Sequence, residues 1–302
     1  MDIHVIYTFK ARYESSRRAF IKPCDVKSYY KNWHENYKHM LDYAQLKEND
    51  RQMKLYGDFT KEDWKKSLNI EEKYIPETFI LHGEWEHHEN LLLWKNILAN
   101  DQWLPEWNTV IGDHHERKVG FSNVFGGPSA AITAHLFGTL GTEKFIQTGY
   151  FGGLSHDVNY GDILIVTGAY MEDGVSQWYS PGDTMVYADH DLIEAAIGFC
   201  ERKGYQYVTG SVFSTSAMYM ETAEIVKDWS EDGHFGVDME TATTFAIAKY
   251  FKRRAIGLLN LSDNIINGDT FYSTTEEISQ IMDETDRRIR ELALYLSTLD
   301  LS

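Results

Sequence analysis

The spacing of hydrophobic and polar positions changes character near residue 75. Upstream, apolar and aromatic residues recur at steps of three or four, as in Tyr29-Trp33-Tyr37-Met40 and Trp64-Leu68, within a stretch rich in Tyr, Trp, Lys and Glu and almost without Gly. Such steps bring side chains to one face of an α-helix, so residues 1–75 are expected to form a helical N-terminal extension. Downstream, short apolar runs end in Gly-containing turns and alternate with amphipathic helical stretches. That alternation predicts an α/β domain over 76–302. Pro76 breaks a preceding helix and sets the expected boundary.

Within the second region the units read strand, turn, helix. Thr78 to Leu81 reaches His82-Gly83 and then a helix around Asn90 to Leu98. Val119 to Phe125 runs into Gly126-Gly127-Pro128-Ser129 and a helix from Ala130 to Leu140. Phe145 to Thr148 leads to Gly149-Tyr150-Phe151-Gly152-Gly153, and Gly161-Asp162 opens the strand Ile163 to Thr167. Phe235 to Met239 feeds a helix from Glu240 to Phe251, followed by the strand Ala255 to Leu261 and Ser262-Asp263. In open α/β sheets ligands sit beyond the carboxyl ends of the strands. Gly83, the two Gly-rich turns, Met239-Glu240 and Asp263 are therefore predicted to share one cleft.

With 302 residues and 43% apolar content the chain fills a sizeable core. Its net charge of −17 is unevenly spread: residues 1–75 hold 15 Lys/Arg against 12 Asp/Glu, and the remainder 14 against 34. So acidic a body repels a phosphate backbone, which argues against polymeric nucleic acid as a partner. The interleaved charges of the first segment read as a solvated helical surface. No apolar run is long enough to span a membrane and the N-terminus lacks a signal-peptide core, so no membrane partner is expected and the location is read as cytoplasmic. Cys24 and Cys200 form no CxxC pair, which fits a reducing compartment. The neighbours His87-His88 and His114-His115 lack the carboxylate–histidine spacing of a metal motif, so no metal is expected.

Asp263 follows the apolar run AIGLLNL, where an ionised acid needs a purpose or a partner. A turn or helix-cap aspartate is the alternative. Glu240, in Gly236-Val237-Asp238-Met239-Glu240-Thr241-Ala242, is by itself an ordinary acid at a helix start. In combination these segments resemble the nucleoside phosphorylase/nucleosidase superfamily. Phe125 to Ser129 resembles its first Gly-rich turn and Thr148 to Leu154 its second. Gly161-Asp162-Ile163, the loop from Trp178 to Asp189 and Gly210-Ser211-Val212-Phe213-Ser214 follow in the family's order. The likeness spans about residues 78 to 265 and leaves 1–75 outside.

The resemblance implies a three-layer α-β-α fold with a central mixed sheet and cleavage of a purine-type N-glycoside. It gives Asp263, held by Ser262, the role of protonating the departing base at N7. Glu240, beside Asp238, would bind ribose hydroxyls, and Met239, Phe213 and Ser214 would line the base pocket, with core packing the alternative for Met239 and Phe213. Gly83, Thr148, Gly149, Tyr150, Phe151 and Gly152 complete the implied substrate-binding set. Uridine phosphorylases read uracil with a Gln/Arg pair that FSTSAMY (213–219) lacks, which favours a purine.

The same comparison leaves the nucleophile open. Phosphorylases of the family bind phosphate through two arginines; here Gly83 is followed by Glu84-Trp85-Glu86-His87, and Gln147 stands in the second place. Tyr150 replaces a small hydroxyl residue. The loop is more similar to the nucleosidase form, in which an acid activates water; the matching positions are His88 or, with one insertion, Glu89. Water is therefore the favoured nucleophile, with a phosphorylase or a nucleoside-sensing protein of weak turnover as alternatives. No cofactor is implied beyond phosphate as co-substrate of a phosphorylase. The ligand would be a small nucleoside or nucleotide and the assembly a homo-oligomer, and Arg17-Arg18 of the extension could meet a 5′-phosphate.

Overall fold

The computed structural model describes residues 54–85, 88–104 and 108–300. The helical spacing at Tyr29 to Met40, Arg17-Arg18, Cys24, Glu86 and His87 lie outside these residues. One compact unit runs from Phe59 to Ser302. Residues 59–75, expected to belong to the extension, are thus part of the α/β body. Helix α1 (Lys61–Leu68) starts at a capping box on Thr60 and Asp63. Ile70 is buried, and Trp64, Leu68, Tyr74 and Ile75 pack against the same core as Phe137 and Leu140. Pro76 ends one local element, but the apolar side chains before it are what fix membership of the domain.

Among the described residues ten strands form one mixed sheet. They are β1 (Thr78–Gly83), β2 (Ala99–Leu104), β3 (Thr109–His114), β4 (Arg117–Val124), β5 (Lys144–Gly153), β6 (Ile163–Glu172), β7 (Met185–Tyr187), β8 (Tyr207–Thr215), β9 (Gly236–Asp238) and β10 (Arg254–Asp263). From one edge the order is β2-β3-β4-β1-β5; β5 then continues to β10, β6, β8 and β9, and β9 returns to the far end of β5. Five strands thus close a ring in which β5 pairs parallel with β10 and antiparallel with β9.

Helices cover both faces, which gives the expected three layers. On one side α1, α3 (Gly126–Leu140) and α7 (Thr241–Tyr250) bury Ala134, Phe137, Phe245 and Ala246 against Phe79, Phe145 and Leu259. On the other, α2 (His88–Ile97), α5 (His190–Lys203) and α8 (Glu276–Ser297) bury Trp94, Leu192, Phe199, Leu292 and Leu296 against Ile80, Ile146 and Ile256. Strands β1, β5 and β10, covered on both faces, read as continuous apolar runs, as buried parallel strands do. The short helices α4 (Ser176–Tyr179) and α6 (Ala223–Glu231) complete the set. No helix of the described residues is long and apolar enough to cross a membrane. Cys200 is buried in α5, and burial pushes its thiol up to about 11.

Two local irregularities aim the functional residues. Gly149 adopts φ 135°, and a Cβ there would lie 2.7 Å from the Gly83 carbonyl oxygen, so only glycine lets β5 turn against the end of β1. In β10 the register with β5 shifts between Leu261 and Asp263. Ser262 is the extra residue, and such a bulge re-aims the side chains beside it.

Candidate active site

At the carboxyl ends of β1, β5, β9 and β10 lies a cavity of about 400 Å³. Its walls include Gly83, Glu84, Tyr150, Gly152, Met239, Glu240, Asp263 and Glu221. Such a volume suits a small-molecule ligand. The strand ends that the sequence pattern assigned to one cleft therefore meet.

Glu240 is 5% exposed and sits in the position before the first turn of α7. Its carboxylate is wedged between two glycines. Oε1 accepts the Gly126 N–H at 2.6 Å, and Oε2 lies so close to Gly83 that a Cβ there would approach it to 2.6 Å. Burial first, and then repulsion from Asp238, holds its carboxyl above the usual range, against the pull of the Gly126 N–H.

Asp238 has a different task. It accepts hydrogen bonds from the Ser214 hydroxyl and from the Thr241 hydroxyl and N–H, the last at 2.9 Å. Ser214 Oγ in turn accepts the Ala242 N–H at 3.0 Å. These bonds satisfy donors that the first turn of α7 would otherwise leave unpaired. Asp238 and Ser214 thereby fix the helix start that carries Glu240.

Asp263 is 6% exposed and accepts a hydrogen bond from the Ser262 hydroxyl. Ser262 Oγ also lies 3.0 Å from the Phe151 carbonyl oxygen, which anchors it to β5. Burial raises the Asp263 carboxyl above its ordinary value; the Ser262 bond opposes this, and the charge of Asp269 adds to it. A carboxyl group so placed keeps its proton to higher pH than a surface aspartate, as a general acid must.

The remaining expected residues divide into wall and support. Tyr150, Phe151 and Gly152 of β5 line the cavity. The Tyr150 hydroxyl donates to Asp286 of α8, which also accepts from Asn260 at 2.8 Å. Thr148 faces away, with its hydroxyl 3.0 Å from His82 Nδ1. Phe213 is not a wall residue; it stacks between Tyr170 and Trp229 in a separate small core. His88 and Glu89 are exposed at the start of α2 and line no part of the cavity. Counting five positions from Gly83 assumed that the loop continued along the cavity, whereas the chain enters a helix there.

Among the described residues of this loop, Glu84 is the acid that lines the cavity. Its carboxylate accepts from Asn90 Nδ2 and lies 3.3 Å from His82 Nε2. It was legible only as an acid in an unfavourable place for phosphate. Glu221, on the turn after β8, was not foreseen at all. The mouth of the cavity is aromatic: Trp85 stacks on Phe125 at 5.7 Å between ring centroids, with Phe271 at 6.4 Å.

Comparison with known proteins bears on the family and the fold. Residues 89–297 match the phosphorylase superfamily. The chain is 30% identical over 171 residues to a guanosine phosphorylase of Halorubrum lacusprofundi, covering 56% of this chain and 71% of that protein. It is 28% identical over 226 residues to a purine nucleoside phosphorylase of the DeoD type from Vibrio vulnificus, covering 74% and 89%. The fold matches the crystal structure of uridine phosphorylase from Vibrio fischeri with a TM-score of 0.65 at 21% identity, over 75% of this chain and 93% of that one. The chain belongs to the phosphorylase superfamily.

Proposed function

We propose that this enzyme cleaves the N-glycosidic bond of a purine-type nucleoside, with water as the attacking group. The observation that carries the proposal is that the carboxyl groups of Asp263, at the end of β10, and Glu240, at the start of α7, open into one cavity. Departure of a purine leaves electrons on the base and positive charge on the sugar. Asp263 donates its proton to N7 and relieves the first; Glu240 accepts hydrogen bonds from the ribose hydroxyls and stabilises the second. Met239 supplies an apolar wall.

Water is favoured over phosphate by the charges around the cavity. Among the described residues its lining holds five carboxyl groups, Glu84, Glu221, Asp238, Glu240 and Asp263, and no Lys, Arg or His. Gln147, in the position of a phosphate-binding arginine of the family, is turned inward: its Nε2 donates to the Thr148 carbonyl at 2.9 Å and its Oε1 accepts from Thr244 at 2.7 Å. Glu84, which lines the cavity and is held by Asn90 with His82 Nε2 at 3.3 Å, takes in this proposal the proton-accepting role that His88 or Glu89 was expected to play. No cofactor enters this chemistry.

The names of the relatives favour a second reading, a phosphorylase that uses phosphate as co-substrate. Both are tested by chromatography of a purine nucleoside panel incubated with the enzyme in the presence and absence of phosphate. Free base and free sugar should form at the same rate in both. An absolute requirement for phosphate, with a sugar 1-phosphate as product, would replace the hydrolytic reading; binding without release of base would leave a sensing protein.

A further inference from the structure

Glu84 lines the active cavity; His82, two residues before it on β1, lines instead a second space of about 20 Å³, walled also by Asn90, Thr148, Asp286 and Arg290. A polar chamber of that size suits one water and no larger ligand. The β1–β5 register places Thr148 opposite His82, and its hydroxyl lies 3.0 Å from Nδ1. The other ring nitrogen, Nε2, lies 3.3 Å from Glu84 Oε2, which also accepts from Asn90 Nδ2. Phe121 and Tyr150 flank the ring, with centroids 6.1 and 6.0 Å away. The oxygens of Asp286 accept from Tyr150 and Asn260, which leaves the imidazole to Thr148 and Glu84.

Which ring nitrogen carries a proton follows from these contacts. Thr148 has a single proton to give. If it goes to Nδ1, the ring's own proton is on Nε2. If it goes to the Leu81 carbonyl, 3.3 Å away, Nδ1–H donates to Thr148; a bare Nε2 would then set its lone pair against the Glu84 carboxylate, so the ring takes up a second proton. With Glu84 ionised, Nε2–H faces Oε2 in both cases. Oε2 thus has two donors, whereas among the described residues no protein group pairs with Oε1. We infer that His82 is a positioning residue: together with Asn90 it ties down Oε2, so that Oε1 is the atom of Glu84 that takes a proton from the attacking water.

This rests on the hydrolytic reading above, in which Glu84 is the proton acceptor, and adds the group that orients it. As the water oxygen bonds to C1′, one water proton passes to Glu84 Oε1, the electrons of the C1′–N9 bond leave with the base, and the proton of Asp263 goes to N7. The products are the free sugar and the neutral base. His82 keeps its own proton throughout, outside the cavity. A carboxylate free to turn about its last bond meets the water in the reacting geometry only part of the time. One held by two donors on a single oxygen avoids that loss.

The test measures kcat and KM separately for the full-length wild type, His82→Phe, His82→Gln, Glu84→Gln and the double variant of His82→Phe with Glu84→Gln, on whichever of adenosine, inosine and guanosine the wild type cleaves fastest. His82→Phe keeps a ring and removes its N–H groups, so kcat should fall roughly tenfold to a hundredfold with KM within about threefold of the wild type. Gln can place an N–H near the position of Nε2, so His82→Gln should recover kcat to within about threefold of the wild type. With Gln at position 84 there is no base left to orient, and adding His82→Phe should change kcat by less than about threefold, a non-additivity that a merely structural role would not give. Should His82→Phe fail to fold, Thr148→Val, which removes the contact at Nδ1, takes its place in the same cycle with an expected loss of about threefold to tenfold. Equal losses in the two backgrounds, no loss at all, or no recovery in His82→Gln overturn the inference and leave Glu84 as the base. Glu84→Gln with the wild-type rate removes the base and the inference together. A strict requirement for phosphate, or a wild type that releases base from none of the three nucleosides, removes the hydrolytic reading with both.

Discussion

Replacing Asp263 with Asn should lower the rate of purine release by about a hundredfold or more and at the same time raise the melting temperature at pH 8. The loss of rate follows from the loss of the proton that N7 must receive. An amide of the same shape still accepts the Ser262 hydroxyl, so the wall of the cavity should keep its form. The gain in stability follows from the direction of the pKa shift. A carboxyl group raised in the folded state contributes stability below its unfolded value and loses that contribution as pH rises through the folded value. At pH 8 the buried charge of Asp263 opposes folding, and Asn removes it. Activity of the wild type should likewise fall as pH rises through the raised pKa of Asp263, because the acid form is the working one. Melting curves and pH–rate profiles of the two proteins check both halves; a variant that loses activity and also melts earlier would assign Asp263 to structure instead.

The second large effect is expected at Glu240. With Gln in its place the charge-assisted hydrogen bond to each of two ribose hydroxyls weakens by about 1–1.5 kcal/mol, so kcat/KM should fall by about a hundredfold. The same substitution should cost a 2′-deoxynucleoside substantially less, because one of the two hydroxyl partners is already missing. Comparison of ribo- and deoxyribonucleosides across the two proteins is a thermodynamic cycle on that contact. Equal losses for both sugars would mean that Glu240 does not touch the 2′-hydroxyl. Repulsion from Asp238 adds to burial in holding the Glu240 carboxyl up, whereas the Asp238 carboxyl is raised by burial against its hydrogen bonds from Ser214 and Thr241.

The parts of this architecture that were readable from the chain are those written in local chemistry. Strands β1, β4 and β5 announce themselves because buried strands are largely apolar and these run into glycines, and β10 because its apolar run stops at Ser262-Asp263; two of those glycines, Gly83 and Gly126, are also where backbone and carboxylate approach closely around Glu240. Asp263 and Glu240 were legible for the same reason: each ends or follows a buried strand, where an acid without purpose is costly. The hairpin β2–β3 and helix α8 passed without notice, although α8 carries Ile289, Leu292, Ala293 and Leu296 at helical spacing. They lie outside the strand–turn–helix units whose glycine turns mark the other elements.

What stayed hidden depends on tertiary placement. Glu221 lies far from Asp263 in sequence, and only the closure of β8 and β9 onto β5 brings it to the same cavity. The role proposed for Glu84 depends on whether the chain after Gly83 follows the cavity or turns into a helix, and that choice moves His88 and Glu89 to the outside. The boundary at residue 75 failed for a similar reason: Pro76 is a strong local signal, but Ile70, Trp64 and Tyr74 are held by a core they meet only in three dimensions.

The central claim, that Asp263 acts by protonating the leaving base, is tested most directly with a leaving group that needs no proton. Turnover by the wild type and by Asp263→Asn should be measured on adenosine and on a 4-nitrophenyl riboside, whose phenolate departs unaided. The account predicts a loss of about a hundredfold or more on adenosine and a loss within a few-fold on the nitrophenyl riboside. Equal losses on the two substrates would contradict it, and would show that Asp263 shapes or binds without donating a proton.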